Sequence, residues 1–503
     1  MRTLYSVQES GGQGFIVEVQ THLSNGLPTI QIIGVVGKSL DESKERIRSA
    51  FANSNIEMPR KKITVNLSPS DIPKDGAQYD LSIALSILLE SNQIKPFTQK
   101  IIILGELGLD GEVHPIRGIL GKIQAARKLG FSHFIIPAKN EVQAALIPDI
   151  QLYCATTLKS LKKDLEVTGS LEFYDTKAGC PIAPRNAQAT IDISEVIGQS
   201  AAKRALEIAA AGQHNVLLSG PPGVGKSMLA KALLGIMTPL SRDEVITVTH
   251  LHSLVGNHNP ELLLSRPLRT PHHSSSDVAI IGGGQNPKPG EITLAHTGIL
   301  FLDELPEFKR STIEALRQPL EDKQVTVSRA KDTTTYPADF LLVATKNPCP
   351  CGYYGSSKPC ICTPLEIDRY QKKLSGPILD RIDLHVVVDS IDHSRLLSEH
   401  KVVGETSAVI QQRVKDVLER QRQRFGSATM RNGLMANKDI KKHAKLSPIA
   451  KTLLDNAAQK LDLSARVYMK TVKLARTIAD LDHSDQITEK HVSEALRYRP
   501  TKI

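Results

Sequence analysis

"HNVLLSGPPGVGKSMLAKALLG", residues 214–235, decides the fold of this chain. An apolar run ends at Ser219, a Gly/Pro turn follows, and helix-forming residues start at Lys226. The spacing GxxxxGK[ST] falls on Gly220, Gly225, Lys226 and Ser227, between a predicted strand and a predicted helix. Glycines let backbone N–H groups curl around phosphate oxygens with no Cβ in the way. Gly220, Pro221, Pro222, Gly223, Val224 and Gly225 are therefore the expected phosphate cradle. Lys226 would neutralise the β- and γ-phosphates and Ser227 would bind Mg²⁺, while the helix N-terminus adds its positive end. The expected cofactors are ATP and Mg²⁺.

Downstream, "GILFLDELPEF" (residues 298–308) carries a buried-strand pattern that ends in two acids, Asp303 and Glu304. Such a pair alone marks a strand end. After a phosphate loop it reads as a hydrolytic site, with Asp303 holding Mg²⁺ and Glu304 polarising the attacking water.

With 503 residues the chain exceeds a single core, and about 150 residues per domain suggests about three domains. Residues 1–168 alternate strands ("GFIVEVQTHL", "KKITVNL") with helices ("SLDESKERIRSAFANS", "YDLSIALSILLES"). Residues 169–190 lose the periodicity and read as a linker. Residues 191–393 hold short apolar strands ("HNVLLSG", "GILFLDE", "DFLLVAT") of a buried parallel sheet. Residues 394–503 read as a helical lid. The fold class is thus α/β throughout, closed by helices.

No run of 18 apolar residues exists, which excludes a helical membrane span, and "MRTLYSVQESGG" has no apolar signal core. A cytoplasmic location is the expectation. The net charge is +10, and the segment from Ile391 onward has 22 Lys and Arg against 13 Asp and Glu. An excess so concentrated suits a polyanion such as nucleic acid, and equally a solvated helical domain that happens to be basic.

Of six cysteines, Cys154 and Cys180 are scattered, whereas Cys349, Cys351, Cys360 and Cys362 crowd into "NPCPCGYYGSSKPCIC". Four thiolates can close a tetrahedral Zn²⁺ site, although the single-residue spacing within each pair is tight; the alternative is four reduced structural thiols. A structural Zn²⁺ is expected, and its position directly after Asn347 would stiffen that residue.

These motifs resemble Walker A (Gly220–Ser227), Walker B (Asp303–Glu304) and sensor 1 ("LLVATKNPCPCG", with Asn347) of AAA+ ATPases. "RPLRTPHHSSSDVAIIGGGQNPKPGEITLAHTGILFLDELPEF", "RYQKKLSGPILDRIDLHV" and "LSARVYMKTVKLARTIADL" are similar to the ComM (YifB) family of the magnesium-chelatase-like branch. The resemblance implies that Asn347 orients water or the γ-phosphate. It also implies that Arg381 is an arginine finger for a neighbouring subunit, with Arg369 as rival, and that Arg466 is the sensor 2 arginine of the lid. A guanidinium suits both tasks because it spreads positive charge over several donors. A finger supplied in trans implies a ring, and the family resemblance implies that the ring is a homo-hexamer.

"PKDGAQYD" and "LGLDGEVHPIRGILGKIQAARKLGFSHFIIP" resemble the Lon protease domain, with Lys122 where the dyad lysine stands. Gln78 occupies the serine position, and an amide cannot form an acyl-enzyme by that route. Ser82 and Ser86 lie one and two helical turns further on, so neither is a natural substitute. Lys122 then reads as a helix-surface cation. A similar frame without a protease nucleophile recurs in RadA proteins, which suggests a ring-forming platform.

"QVTVSRAKDTTTYPADF" reads as a hairpin whose tip, Arg329 and Lys331, either tracks a phosphate backbone or bears two ordinary charges. Gly282, Gly283 and Gly284 mark a second candidate pore loop. The family resemblance implies an ATP-driven helicase that promotes branch migration of single-stranded or branched DNA during natural transformation, with recombinases as expected partners. The alternatives are a protein-remodelling motor of the chelatase type and, further off, an ATP-dependent protease.

Overall fold

The computed structural model describes residues 2–10, 13–34, 37–70, 74, 76–167, 171–176, 191–255, 261–284, 288–328, 333–356, 358–389 and 404–500. They fall into two compact units. One comprises Met1–Ala183, Arg242–Leu263 and Ser328–Thr335; the other comprises Pro184–Ser241, Leu264–Val327 and Tyr336–Ile503.

The first unit is built on an eight-stranded sheet of β1 (Thr3–Ser10), β2 (Gln13–Ser24), β3 (Thr29–Ile33), β4 (Lys62–Ser68), β5 (Ile101–Ile103), β6 (His133–Pro137), β7 (Gln151–Ala155) and β8 (Tyr174–Asp175). The order is β8-β7-β6-β5-β1-β2-β4-β3, with β1, β2 and β4 antiparallel and β5, β6 and β7 parallel. Alternation along β4 buries Ile63, Val65 and Leu67 on one face, where Leu40, Ile47 and Phe51 of the helix Lys38–Asn53 join the same core. The helix Asp80–Glu90 is buried from Asp80 to Leu89, so it is apolar all round rather than striped. Its buried Asp80 is paired with Arg46 Nε at 2.7 Å and also accepts from Leu107 N–H.

The second unit contains a parallel five-stranded sheet of β9 (Val216–Ser219), β10 (Leu268–Arg269), β11 (Ile299–Leu302), β12 (Leu341–Lys346) and β13 (Leu384–Val387), in the order β10-β11-β12-β9-β13. The short β-branched and leucine runs are buried on both faces, as an all-parallel sheet requires. Register places Ser219 beside Lys346 and Leu302 beside Ala344. The chain therefore leaves β9, β11 and β12 side by side at one edge, where open α/β sheets bind ligands.

The helices Ser407–Phe425, Pro448–Lys460, Ala465–Leu481 and Glu489–Arg497 share a core with this sheet. Ile410, Val414 and Val417 form the helical stripe that does so. Within them Asp480 is fully buried and binds Arg424 Nη1 at 2.7 Å, Arg476 Nη2 at 2.9 Å and Asn432 Nδ2 at 2.8 Å. Removing one partner of such a set costs about 3–5 kcal/mol. No described helix is long and apolar enough to cross a membrane.

Candidate functional site

At the carboxyl edge of the parallel sheet, Ser219 leads into the Gly220–Ser227 loop and the helix Lys226–Ile236. A Cβ on Gly220 would stand 2.2 Å from Val388 O, so only glycine lets the loop cross there. Gly223 and Gly225 have φ of 82° and 89°, and a Cβ at either would meet nothing within 4 Å. The loop is thus open beside Gly223 and Gly225, which leaves room for a polyphosphate.

Lys226 is buried, and its Nζ donates to Gly220 O at 2.5 Å, Pro221 O at 3.1 Å and Asn347 Oδ1 at 2.8 Å. Burial lowers its pKa, and the carboxylates of Asp303 and Glu304 oppose that shift. Ser227 Oγ donates to Asp303 Oδ2 at 3.1 Å. Thr345 lies between the two acids: its Oγ1 donates to Asp303 Oδ1 at 2.6 Å and accepts from Glu304 N–H at 2.8 Å. Glu304 adopts φ 52° and ψ 53°, a conformation that costs a non-glycine residue about 1–3 kcal/mol. The strain throws its carboxylate out of the strand line, exposed at the sheet edge. Lys226 with Asn347, and Ser227 with Asp303, thus form two hydrogen-bonded pairs that the adjacency of Lys226 and Ser227 brings to one place. Thr345 completes the set and was missed in the sequence, where a lone threonine ahead of "KNP" is the only signal.

The arginines stand elsewhere. Arg381 Nη2 meets Glu321 Oε1 at 2.8 Å, its Nη1 donates to Pro377 O at 2.6 Å, and Arg466 Nη2 reaches the same Oε1. Partial desolvation pushes the Glu321 carboxyl up, but the two arginines outweigh it and hold the group below the ordinary glutamate value. Arg369 is exposed on the helix Pro364–Gln371. Arms Gln324–Ser328 and Thr333–Pro337 form a two-stranded ribbon, and Arg329 and Lys331 lie outside the described residues. Gly282 pairs with Pro289 and Gly283 with Lys288, and Gly282, Gly283 and Gly284 have φ of 111°, 138° and 101°.

The sulfurs of Cys349, Cys351, Cys360 and Cys362 all lie within 4.8 Å of one another. Cys349 Sγ stands 3.3 Å from Cys351 and 3.7 Å from Cys360, and Cys351 stands 3.5 Å from Cys360. Four thiolates about 2.3 Å from one Zn²⁺ would be about 3.8 Å apart, so the set fits the ion. Backbone N–H groups of Tyr354 and Cys351 point at Cys349 Sγ (3.3 Å) and Cys362 Sγ (3.4 Å), the donor pattern thiolate ligands attract. Backbone donors at Tyr353 and Ile361 pull the Cys351 thiol down to about 6. A Cβ on Gly352 would lie 2.7 Å from Pro222 Cδ, so this knuckle rests directly on the phosphate loop. Cys154 is half-buried, with its thiol raised to about 11, chiefly by burial, while Cys180 lies outside the described residues.

In the first unit Gln78 is buried, and its Nε2 donates to Gln8 Oε1 at 2.6 Å, an oxygen that also accepts from Tyr79 Oη at 2.6 Å. Ser82 Oγ is bonded to Tyr79 O at 2.8 Å and Ser86 Oγ to Thr21 Oγ1 at 2.7 Å, both buried. All three side chains are consumed by the core. Lys122 is not the surface cation its helix position suggested: it is half-buried, donates to Arg117 O at 2.8 Å, and burial lowers its pKa while Glu9 opposes the shift. Glu9 also meets His250 Nε2 at 3.2 Å, a residue of the Arg242–Ser253 helix.

Residues 192–396 match the family described as magnesium chelatase, subunit ChlI; residues 19–140 match subunit ChlI of Mg-chelatase; and residues 404–499 match magnesium chelatase, subunit ChlI C-terminal. Competence protein ComM of Haemophilus influenzae is 41% identical over 498 residues, which cover 99% of this chain and 97% of that protein. The uncharacterized protein YifB of Salmonella typhimurium is 41% identical over 487 residues, 96% and 94% of the two chains. A Lon protease of Fervidobacterium nodosum is 29% identical over 143 residues, 27% of this chain and 17% of that protein. The chain belongs to the ComM (YifB) family of magnesium-chelatase-like AAA+ proteins and carries a Lon-like N-terminal segment.

Proposed function

We propose that the chain is an ATP hydrolase that works as a homo-hexameric ring and drives branch migration of recombining DNA. The observation that carries the reading is the meeting of two hydrogen-bonded pairs, Lys226 with Asn347 and Ser227 with Asp303, beside an open glycine loop. The name of the Haemophilus relative, a competence protein, supports natural transformation as the setting.

In this reading Lys226 exchanges the Gly220 and Pro221 carbonyls for phosphate oxygens, and the helix N-terminus adds its dipole. Ser227 and Asp303 hold Mg²⁺, which when bound neutralises phosphate charge. Glu304 takes the proton of the attacking water, from a backbone position that Thr345 fixes. Asn347 orients that water or the γ-phosphate. Arg381 serves a neighbouring subunit's nucleotide as finger, and Arg466 acts as sensor 2. Cys349, Cys351, Cys360 and Cys362 would hold Zn²⁺, and the closed knuckle would stiffen both Asn347 and the Pro222 side of the phosphate loop. Arg329 and Lys331 follow the DNA backbone, and the Lon-like segment is a platform of the ring, since Gln78 leaves it no nucleophile.

The test is ATP turnover with and without forked DNA, in wild type and Lys226→Ala. The expected result is stimulation by DNA in wild type and a loss of at least about 100-fold in the variant. Turnover indifferent to single-stranded and forked DNA, or a variant that still migrates a labelled junction, refutes the proposal.

A further inference from the structure

Glu321 is the fifth of six residues in the helix Arg317–Asp322, which Lys323 closes in a left-handed conformation. The ribbon strand Gln324–Ser328 begins at the next residue. Ala338 N–H bonds to Lys323 O at 2.8 Å, and Lys323 Nζ meets Asp339 Oδ1 at 3.3 Å, so the foot of the ribbon is pinned beside Glu321. A single oxygen of Glu321 receives both Arg381 and Arg466.

The two arginines differ in setting. Arg381 is 12% exposed and Arg466 is 47% exposed, while Glu321 is 44% exposed. The Nε of Arg381 is buried with no hydrogen-bond partner among the described residues. A guanidinium has five donors, and one that shares a carboxylate oxygen and keeps a donor unpaired is poorly satisfied. An incoming phosphate presents more acceptor oxygens in the same fork geometry. Such an anion would compete with Glu321 for both arginines. The carboxyl is already held below the usual glutamate value, so near neutral pH it lets go by displacement and not by taking a proton.

We infer that Glu321 is a positioning residue for ATP turnover: it is the resting anion of both Arg381 and Arg466, and its place at the foot of the ribbon ties their release to ribbon movement. The inference rests on the ring-motor proposal above. Glu321 touches neither phosphate nor water in this scheme. It acts through the arginines, as a brake that DNA on the ribbon relieves.

The experiment is steady-state ATP hydrolysis by the full chain, with and without single-stranded DNA, in wild type, Glu321→Gln and Glu321→Asp. Glu321→Gln keeps the shape and removes the charge. Its DNA-free kcat is expected to rise about three- to tenfold, with KM for ATP within about twofold of wild type and with DNA stimulation reduced by a similar factor. Glu321→Asp, whose shorter arm weakens the pairing, is expected to fall between the two. Unchanged kinetics in Glu321→Gln overturn the inference, and so does a reduced kcat at wild-type melting temperature, which would make Glu321 a support for turnover. If Glu321→Gln melts early, the decision passes to Glu321→Asp, where a raised DNA-free kcat supports the brake and an unchanged one overturns it. Wild-type protein that lacks ATP turnover or DNA stimulation overturns the ring-motor proposal itself, and that result is read without either variant.

Discussion

Glu304 pays a conformational penalty that Asp303, one residue earlier, does not. Its left-handed backbone is held by a bond from its N–H to Thr345 and by one from Glu307 N–H to its carbonyl, and the Thr345 hydroxyl also orients Asp303. A strained residue persists when its surroundings over-determine it, and such positions cluster at reactive sites. Glu304→Gln should therefore keep the fold and ATP binding while lowering kcat by about 100-fold or more. Near-normal turnover in that variant would remove Glu304 from the chemistry. Lys226, Ser227, Asp303 and Asn347 were legible in the sequence because each belongs to a short motif whose local geometry is repeated wherever it occurs. Thr345 and Glu321 were not, because their partners lie far away in sequence. Thr345 meets Asp303 across 42 residues through strand register, and Arg466 meets Glu321 across 145 residues through the packing of the helical segment. Periodicity carries no information about either.

Among elements, strands and helices with clear periodicity stand where expected, as β2, β4 and the helix Lys38–Asn53 illustrate. The helix Arg242–Ser253 is different. Its sequence lies inside the ATPase segment, yet it groups with the Lon-like unit, where Arg242 Nε bonds Leu146 O at 3.1 Å and His250 meets Glu9. Nothing in its own residues announces that placement, because a long-range side-chain contact can be read only once both partners are located. The cysteine knuckle is the opposite case: four thiols in fourteen residues announce a metal by themselves. What the structure adds is the seat of Gly352 on Pro222. Stripping the ion should therefore reach the phosphate loop as well as Asn347. Purified protein is expected to hold about one Zn²⁺ per chain, and removing it with a chelator, then restoring Mg²⁺, should cut ATP turnover at least about tenfold. Metal-free protein with unchanged turnover would confine the knuckle to a passive role.

At the scale of the whole molecule, charge is the property that no single site explains. The net charge of +10 is concentrated after Ile391, while Arg329 and Lys331, which lie outside the described residues, add two cations to the segment that joins the ribbon arms in sequence. Some of the C-terminal cations are already spent: Arg424 and Arg476 serve Asp480, Arg413 serves Glu207 and Glu405, and Lys470 serves Asp383 at 2.9 Å. Buried and paired cations release no counterions to a nucleic acid, so the useful charge is smaller than the sum suggests. If the DNA-motor proposal holds, phosphate contacts fall to the ribbon segment and to exposed lysines of the helical segment. For single-stranded DNA the logarithm of affinity should fall with the logarithm of salt at a slope of about −0.7 per phosphate neutralised. If about four phosphates are held, raising salt from about 50 to about 200 mM should weaken binding about 50-fold. Replacing Arg329 and Lys331 by Ala should flatten that slope while leaving DNA-free ATP turnover in place, because a hairpin-tip contact acts on DNA and not on nucleotide. A slope near zero in wild type would show that DNA is not held through its phosphates. A slope unchanged in the double variant would move the contacts from the ribbon to the basic helical segment, whose exposed lysines would then be the next to replace.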